Sequence, residues 1–134
     1  MQTRTVALIL LTMSLGGCSY GYELEAVLLN GQVAFIVDPN SRSIPSCFRH
    51  IEVSVVGGRN SQWRDSVDYE DACANKFPIT YGARLKGRPQ TDWPTIYAKP
   101  LQRGVFYEVI TTTGATGYGG GRFSLDESGR ITNE

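Results

Sequence analysis

The stretch Tyr22-Glu23-Leu24-Glu25-Ala26-Val27-Leu28-Leu29, followed by Asn30-Gly31-Gln32 and then Val33-Ala34-Phe35-Ile36-Val37, decides the reading of the chain. Two β-rich runs flank an Asn-Gly step. Such a step favours a tight hairpin because both central turn residues take positive φ, which Asn and Gly tolerate best. Asp38-Pro39-Asn40-Ser41 ends the second run with turn chemistry. Downstream, Phe48 to Val56 alternates, with Arg49, Ile51, Val53 and Val55 on one face and Phe48, His50, Glu52 and Ser54 on the other. A period of two with β-branched residues predicts a half-buried strand.

The pattern continues along the chain. Gly57-Gly58-Arg59-Asn60-Ser61 predicts a turn, and Trp63 leads a further extended segment. Residues 65–76 are acidic, with one helical turn expected around Tyr69-Glu70-Asp71-Ala72-Cys73. Phe77 to Arg88 alternates like a strand, and Gly87 to Asp92 forms a loop. Ile96-Tyr97-Ala98, Val105 to Thr113 and Gly121 to Leu125 complete the set. No stretch sustains an apolar period of 3.6, so little helix is expected. Seven or eight short strands with frequent turns predict an all-β, small antiparallel β-sandwich.

One segment, Leu101-Gln102-Arg103-Gly104-Val105-Phe106-Tyr107-Glu108-Val109, resembles the corner before the penultimate strand of fibronectin type III-like domains. The resemblance implies that the Tyr107 hydroxyl ties its strand back to the upstream corner. It favours an immunoglobulin-like or transthyretin-like sandwich over a barrel. It covers nine residues, and it lacks a proline before Gly104.

The N-terminus carries an address. Arg4 is the only charged side chain before Glu23, and Val6 to Leu15 is apolar apart from Thr12 and Ser14. Ten residues span about 15 Å as a helix, half of the roughly 30 Å hydrocarbon core, which suits a secretory leader and not a membrane span. Leu15-Gly16-Gly17-Cys18 then resembles the lipobox of bacterial lipoproteins. That resemblance implies cleavage before Cys18 and lipidation of its thiol, with stable anchoring by two or more acyl chains. Ser19 in place of Asp implies the outer membrane of a Gram-negative envelope, with the domain facing the periplasm. The expected organisation is a leader over residues 1–17, an acylated tether over 18–21 and a β-sandwich over 22–134.

Composition bounds the partners. Removing 17 of 134 residues leaves 117, one domain's worth. Of 13 basic and 13 acidic side chains, the leader takes one base, Arg4, and no acid. Near-neutrality argues against nucleic acid or a polybasic membrane patch. Cys47 and Cys73 remain as an even pair for an oxidising compartment, and a disulfide is expected to stabilise the fold by about 3–4 kcal/mol. A metal site is the rival, but two thiols without a second pair do not make a zinc knuckle.

Candidate chemistry is sparse. His50, the single histidine, shares a strand face with Glu52, and Ser46 and Ser54 are near in sequence. A Ser–His–acid site also needs a strained nucleophile turn and an oxyanion pocket, and no Gly-x-Ser-x-Gly occurs. Asp65, Asp68, Glu70 and Asp71 lack the glycine and spacing of a calcium loop. Gly114-Ala115-Thr116-Gly117-Tyr118-Gly119-Gly120-Gly121-Arg122 lacks the Lys-Ser/Thr and the following helix of a phosphate loop, so a hairpin tip is expected. Arg84, Lys86 and Arg88 are expected to share a strand face, a stripe suited either to an anionic glycan or a partner's acids, or to blunting a sheet edge. Trp93, Tyr118 and Arg122 complete the candidate binding surface. The reading is an envelope lipoprotein that acts as a non-enzymatic binding or structural module, without cofactor or metal. Its partners would be the membrane through the lipid and an envelope protein or anionic glycan. A small hydrolase or a periplasmic enzyme inhibitor is the alternative.

Overall fold

The computed structural model describes residues 20–114 and 117–134, so the leader and Cys18 lie outside the described residues. Eight strands and no helix are found among them: β1 Tyr20–Leu29, β2 Gln32–Val37, β3 His50–Val55, β4 Ser61–Ser66, β5 Ile79–Thr80, β6 Phe106–Thr112, β7 Gly117–Leu125 and β8 Ile131–Asn133. The β1–β2 hairpin closes at Leu29 and Gln32, and Asn30 (φ 52°) and Gly31 (φ 76°) make the turn. Both central residues are left-handed, as the Asn-Gly step dictates.

The strands form one mixed sheet in the order β4-β3-β6-β7-β1-β2-β5, with β8 beside β7. It curls into a half-barrel and is not a clear two-layer sandwich. The cause is β1. Its first half, Tyr20 to Glu23, runs parallel to Gly117–Gly120 of β7, and from Leu24 onward it pairs antiparallel with β2. Where β1 departs, β8 takes over the edge of β7. The side chain of Asn133 spans the gap, accepting from the Ala26 N–H at 2.8 Å and donating to the Ala26 carbonyl at 2.9 Å. One carboxamide thus satisfies backbone groups that a neighbouring strand would otherwise serve.

The curl encloses the core. Phe35 of β2 stacks on Trp63 of β4 at 6.5 Å and meets Phe123 of β7 edge-on at 5.4 Å, while Tyr107 of β6 stacks on Phe123 at 5.5 Å. Ile51 and Val53 point inward, as their alternation predicts. The Tyr107 hydroxyl accepts from the Gln102 N–H at 2.7 Å, with Gly104 at φ 78° in the intervening corner. Cys47 and Cys73 are bonded, with Cα atoms 5.5 Å apart.

Five local expectations are corrected. The Phe77–Arg88 strand shrinks to Ile79–Thr80, because Gly82 (φ 87°) and Gly87 (φ 129°) turn the chain. Beyond β5, side chains substitute for a partner strand: Asp65 accepts from the Leu85 N–H, and Asn75 both accepts from and donates to the Lys86 backbone. Ile96 makes only an isolated bridge to Arg64. The helical turn at Tyr69–Cys73 is absent, with Ala72 and Cys73 at positive φ. Phe48 is buried against Phe77 at 4.6 Å, because the alternating strand starts only at His50. The glycine-rich segment is strand from Gly117 onward, and Ala115 and Thr116 lie outside the described residues.

Those glycines have a shared cause. A Cβ at Gly119 would lie 2.1 Å from the Tyr22 ring, and one at Gly117 would lie 2.7 Å from the Tyr20 ring. Both tyrosines lie across β7, Tyr22 hydrogen-bonding to Thr111 Oγ1 of β6 at 2.6 Å and Tyr20 to Oγ1 of Thr113, just past the end of β6, at 3.0 Å. Only a strand without side chains on that face admits them.

Candidate functional site

Alternation in β3, β4, β6 and β7 sets the chemistry of the outer, convex face. One row of register partners crosses it as Ser66, His50, Thr112 and Tyr118, and the next as Arg64, Glu52, Ile110 and Gly120. Ile110 is 40% exposed, and its neighbour on β7 is a glycine, so the middle of the face is low and partly apolar.

The loop carrying Trp93 raises one wall. It is stitched to β4 by the Gln90 N–H to the Ser66 carbonyl, Ser66 Oγ to Gln90 Oε1, and Arg64 Nε to the Pro94 carbonyl, each at 3.0 Å. These bonds hold the Trp93 ring edge-on to His50 at 5.4 Å, with the Arg64 guanidinium 5.6 Å from its centre. The opposite wall is Tyr118 of β7. Tyr69 closes one end and carries the Arg49 guanidinium at 5.4 Å. Together they bound a groove of about 440 Å³, within the ~300–1,000 Å³ typical of small-ligand sites. Trp93, Tyr69 and Tyr118 remain 49%, 62% and 52% exposed.

Charges along the groove are mostly paired. Arg49 Nε lies 2.8 Å from Oδ1 of the fully buried Asp71, and Arg64 lies 3.2 Å from Glu52. Burial pushes the His50 pKa below its ordinary 6.5; Glu52 and Asp65 oppose this while Arg64 adds to it. His50 is therefore neutral at pH 7. It makes no hydrogen bond among the described residues, so its ring nitrogens are open to the groove. Ser66, its register partner, donates its hydroxyl to Gln90. Ser54 lies opposite Glu108, and Ser46 is beside the disulfide. The arrangement offers aromatic faces, an imidazole and a hydroxyl to a ligand; it does not line up a Ser–His–acid relay.

Of the residues singled out in the sequence, Trp93, Tyr118 and His50 converge here, and the cationic ones do not. Arg84 donates to Asp65 Oδ2 at 3.1 Å and lies over Tyr97, and this pairing raises its pKa, the Asp65 hydrogen bond first. Lys86 is exposed on a loop held by Asn75. Arg88 reaches Asp68 at 3.5 Å and Glu70 at 3.6 Å, and Arg122 reaches Glu108 at 3.8 Å. The expected stripe is thus dispersed, because the segment is not a strand and two of its three cations, Arg84 and Arg88, have carboxylates as neighbours. Asp65 and Asp71 are buried structural acceptors, and no group of three or more His, Cys, Asp or Glu side chains that could hold a metal occurs among the described residues.

Sequence reasoning missed Ile110, Thr112, Tyr69 and Arg49 as groove residues; the outward phase of Ile110 and Thr112 in β6 was the available signal. A second hollow of about 660 Å³ lies where β1 leaves β7, lined by Glu23, Glu25, Asp38 and Glu108 with the backbone of Gly120 and Gly121. It has no exposed aromatic, so the Trp93 groove is the better candidate. No known protein family, curated protein or solved structure matches the chain.

Proposed function

We propose that the protein is a lipid-anchored envelope lipoprotein whose domain is a non-enzymatic binding module, and that the Trp93 groove is its contact site. The observation carrying this reading is the convergence of three exposed aromatic rings and a half-buried imidazole on one groove, with the Trp93 loop stitched to β4 by hydrogen bonds. Surfaces that bind combine exposed aromatics with a few placed polar groups. The anchor rests on the resemblance of Leu15-Gly16-Gly17-Cys18 to the lipobox, and Ser19 after it supports an outer-membrane anchor with the domain in the periplasm.

The finer fold reading is immunoglobulin-like. In sheet order, β4-β3-β6-β7 corresponds to the C′-C-F-G order of such domains and β1-β2-β5 to A-B-E, with the Tyr107 corner at the start of the F position. The Cys47–Cys73 bridge does not occupy the B–F position of the immunoglobulin disulfide.

Two measurements test the proposal. Intact mass of the native protein should lack residues 1–17 and carry acyl chains, and Cys18→Ser should release the chain from the membrane fraction. A photocrosslinker at Ile110 should give adducts with an envelope component where one at Arg59, on the β3–β4 turn, does not. Equal adduct yields at both sites would remove the groove from consideration.

A further inference from the structure

We infer that the groove opens onto the membrane that carries the anchor, and that its occupant is the phospholipid headgroup layer of that membrane. This deepens the proposed function and rests on lipidation of Cys18.

The argument is one of reach. β1 begins at Tyr20, two residues earlier than its sequence pattern suggests, and is locked there by its register with Gly117. Ser19 is then the only residue between Cys18 and the sheet. Two extended residues span at most about 7 Å. The headgroup region on one side of a bilayer is about 5–8 Å deep. A lipid on Cys18 therefore holds the Tyr20 end of the domain against the headgroups, whatever the tether's conformation.

Register fixes what else lies at that end. Gly21 pairs with Tyr118, Tyr118 with Thr112, and Thr112 with His50. Adjacent strands are about 5 Å apart, so Tyr118 is one strand from the anchored segment and His50 three. Tyr69 joins them, its ring 4.0 Å from where a Gly114 Cβ would stand. Tyr20, Tyr69 and Tyr118 are all exposed. Tyrosine and tryptophan favour the membrane interface because they join an apolar ring to a polar edge. Gly57, Gly58, Gly104 and the Leu28–Gly31 turn lie at the far ends of the same strands, beyond reach of the headgroups.

Acylated mature protein in vesicles of phosphatidylethanolamine and phosphatidylglycerol, doped with a headgroup-nitroxide phospholipid, provides the test. A Trp93→Phe background leaves only the core Trp63, which is 1% exposed. In that background Tyr118→Trp and, as a second reporter, Tyr69→Trp should lose emission to the nitroxide and shift to the blue. Leu28→Trp, at the far hairpin, should keep its emission. Quenching that is absent or equal at all three sites in acylated protein overturns the inference and leaves the anchor standing. A native chain without acyl groups overturns both. Shielding of Tyr118→Trp only after adding soluble envelope glycan or protein also overturns it, in favour of that occupant.

Discussion

The Tyr22 hydroxyl crosses β7 above Gly119 and hydrogen-bonds to Thr111 Oγ1 on β6 at 2.6 Å, so that three strands meet through one side chain. Tyr22 lies in the core, and both the ring and its hydroxyl need the vacancy that Gly119 provides. A methyl group at Gly119 would also stand 2.4 Å from Thr111 Oγ1. Gly119→Ala is therefore expected to destabilise the domain by about 2–4 kcal/mol, read as a lower urea midpoint. Gly129→Ala, in the β7–β8 turn, serves as a backbone-strain control, since its φ is 84° and no clash lies nearby.

The same tyrosine predicts an alkaline limit. Burial pushes the Tyr22 hydroxyl from 10.0 up to about 12, and burial does the same to Tyr81. In the unfolded chain both ionise near 10, so their contribution is complete below pH 10 and lost as pH rises from 10 to 12. Stability measured across that window should fall, and Tyr22→Phe should fall less steeply. A parallel slope in Tyr22→Phe would count against the assignment.

Arg49 neutralises the buried carboxylate of Asp71, whose Oδ2 has no hydrogen-bond partner. Removing the arginine leaves an uncompensated buried charge. Arg49→Met should cost about 3 kcal/mol or more, whereas Arg88→Met, which breaks an exposed pair, should cost no more than about 0.5–1 kcal/mol. Thermal unfolding of the two variants side by side decides between them.

His50 and Trp93 form a built-in reporter. The histidine is held neutral by burial, so it protonates only below its ordinary 6.5. Its lowered pKa contributes stability that is present above 6.5 and lost as pH falls below it. An imidazolium edge-on to an indole quenches it, so tryptophan emission should drop over the same acid range and Trp93→Phe should abolish the change. A pH-independent emission in the wild type would show that the two rings do not meet in solution.

Much of this fold is legible where chemistry is local. Asn30-Gly31 specifies its own turn, Tyr107 finds the backbone five residues upstream, and two thiols in one domain find each other. The failures are non-local. Gly117 and Gly119 look like a loop until Tyr20 and Tyr22, which lie more than 90 residues earlier, are laid across them. Phe77 to Arg88 alternates like a strand, but beyond β5 the backbone of Leu85 and Lys86 bonds to the side chains of Asp65 and Asn75. The groove is legible only in parts. Trp93, Tyr118 and His50 each stand out in the sequence, but only the strand order brings them to one face.

The parallel seam between Tyr20–Glu23 and Gly117–Gly120 also decides how the domain bears force. A pull applied at Tyr20 runs along β1, and the evenly spaced bonds of a parallel pair are then loaded in shear, together, with the Tyr20 and Tyr22 rings as transverse pins. An unpaired or hairpin-edge terminus would peel one bond at a time. The N-terminal strand of the described fold is thus built as a mechanical clamp, and tension applied at its Tyr20 end is carried by the sheet before it reaches the core.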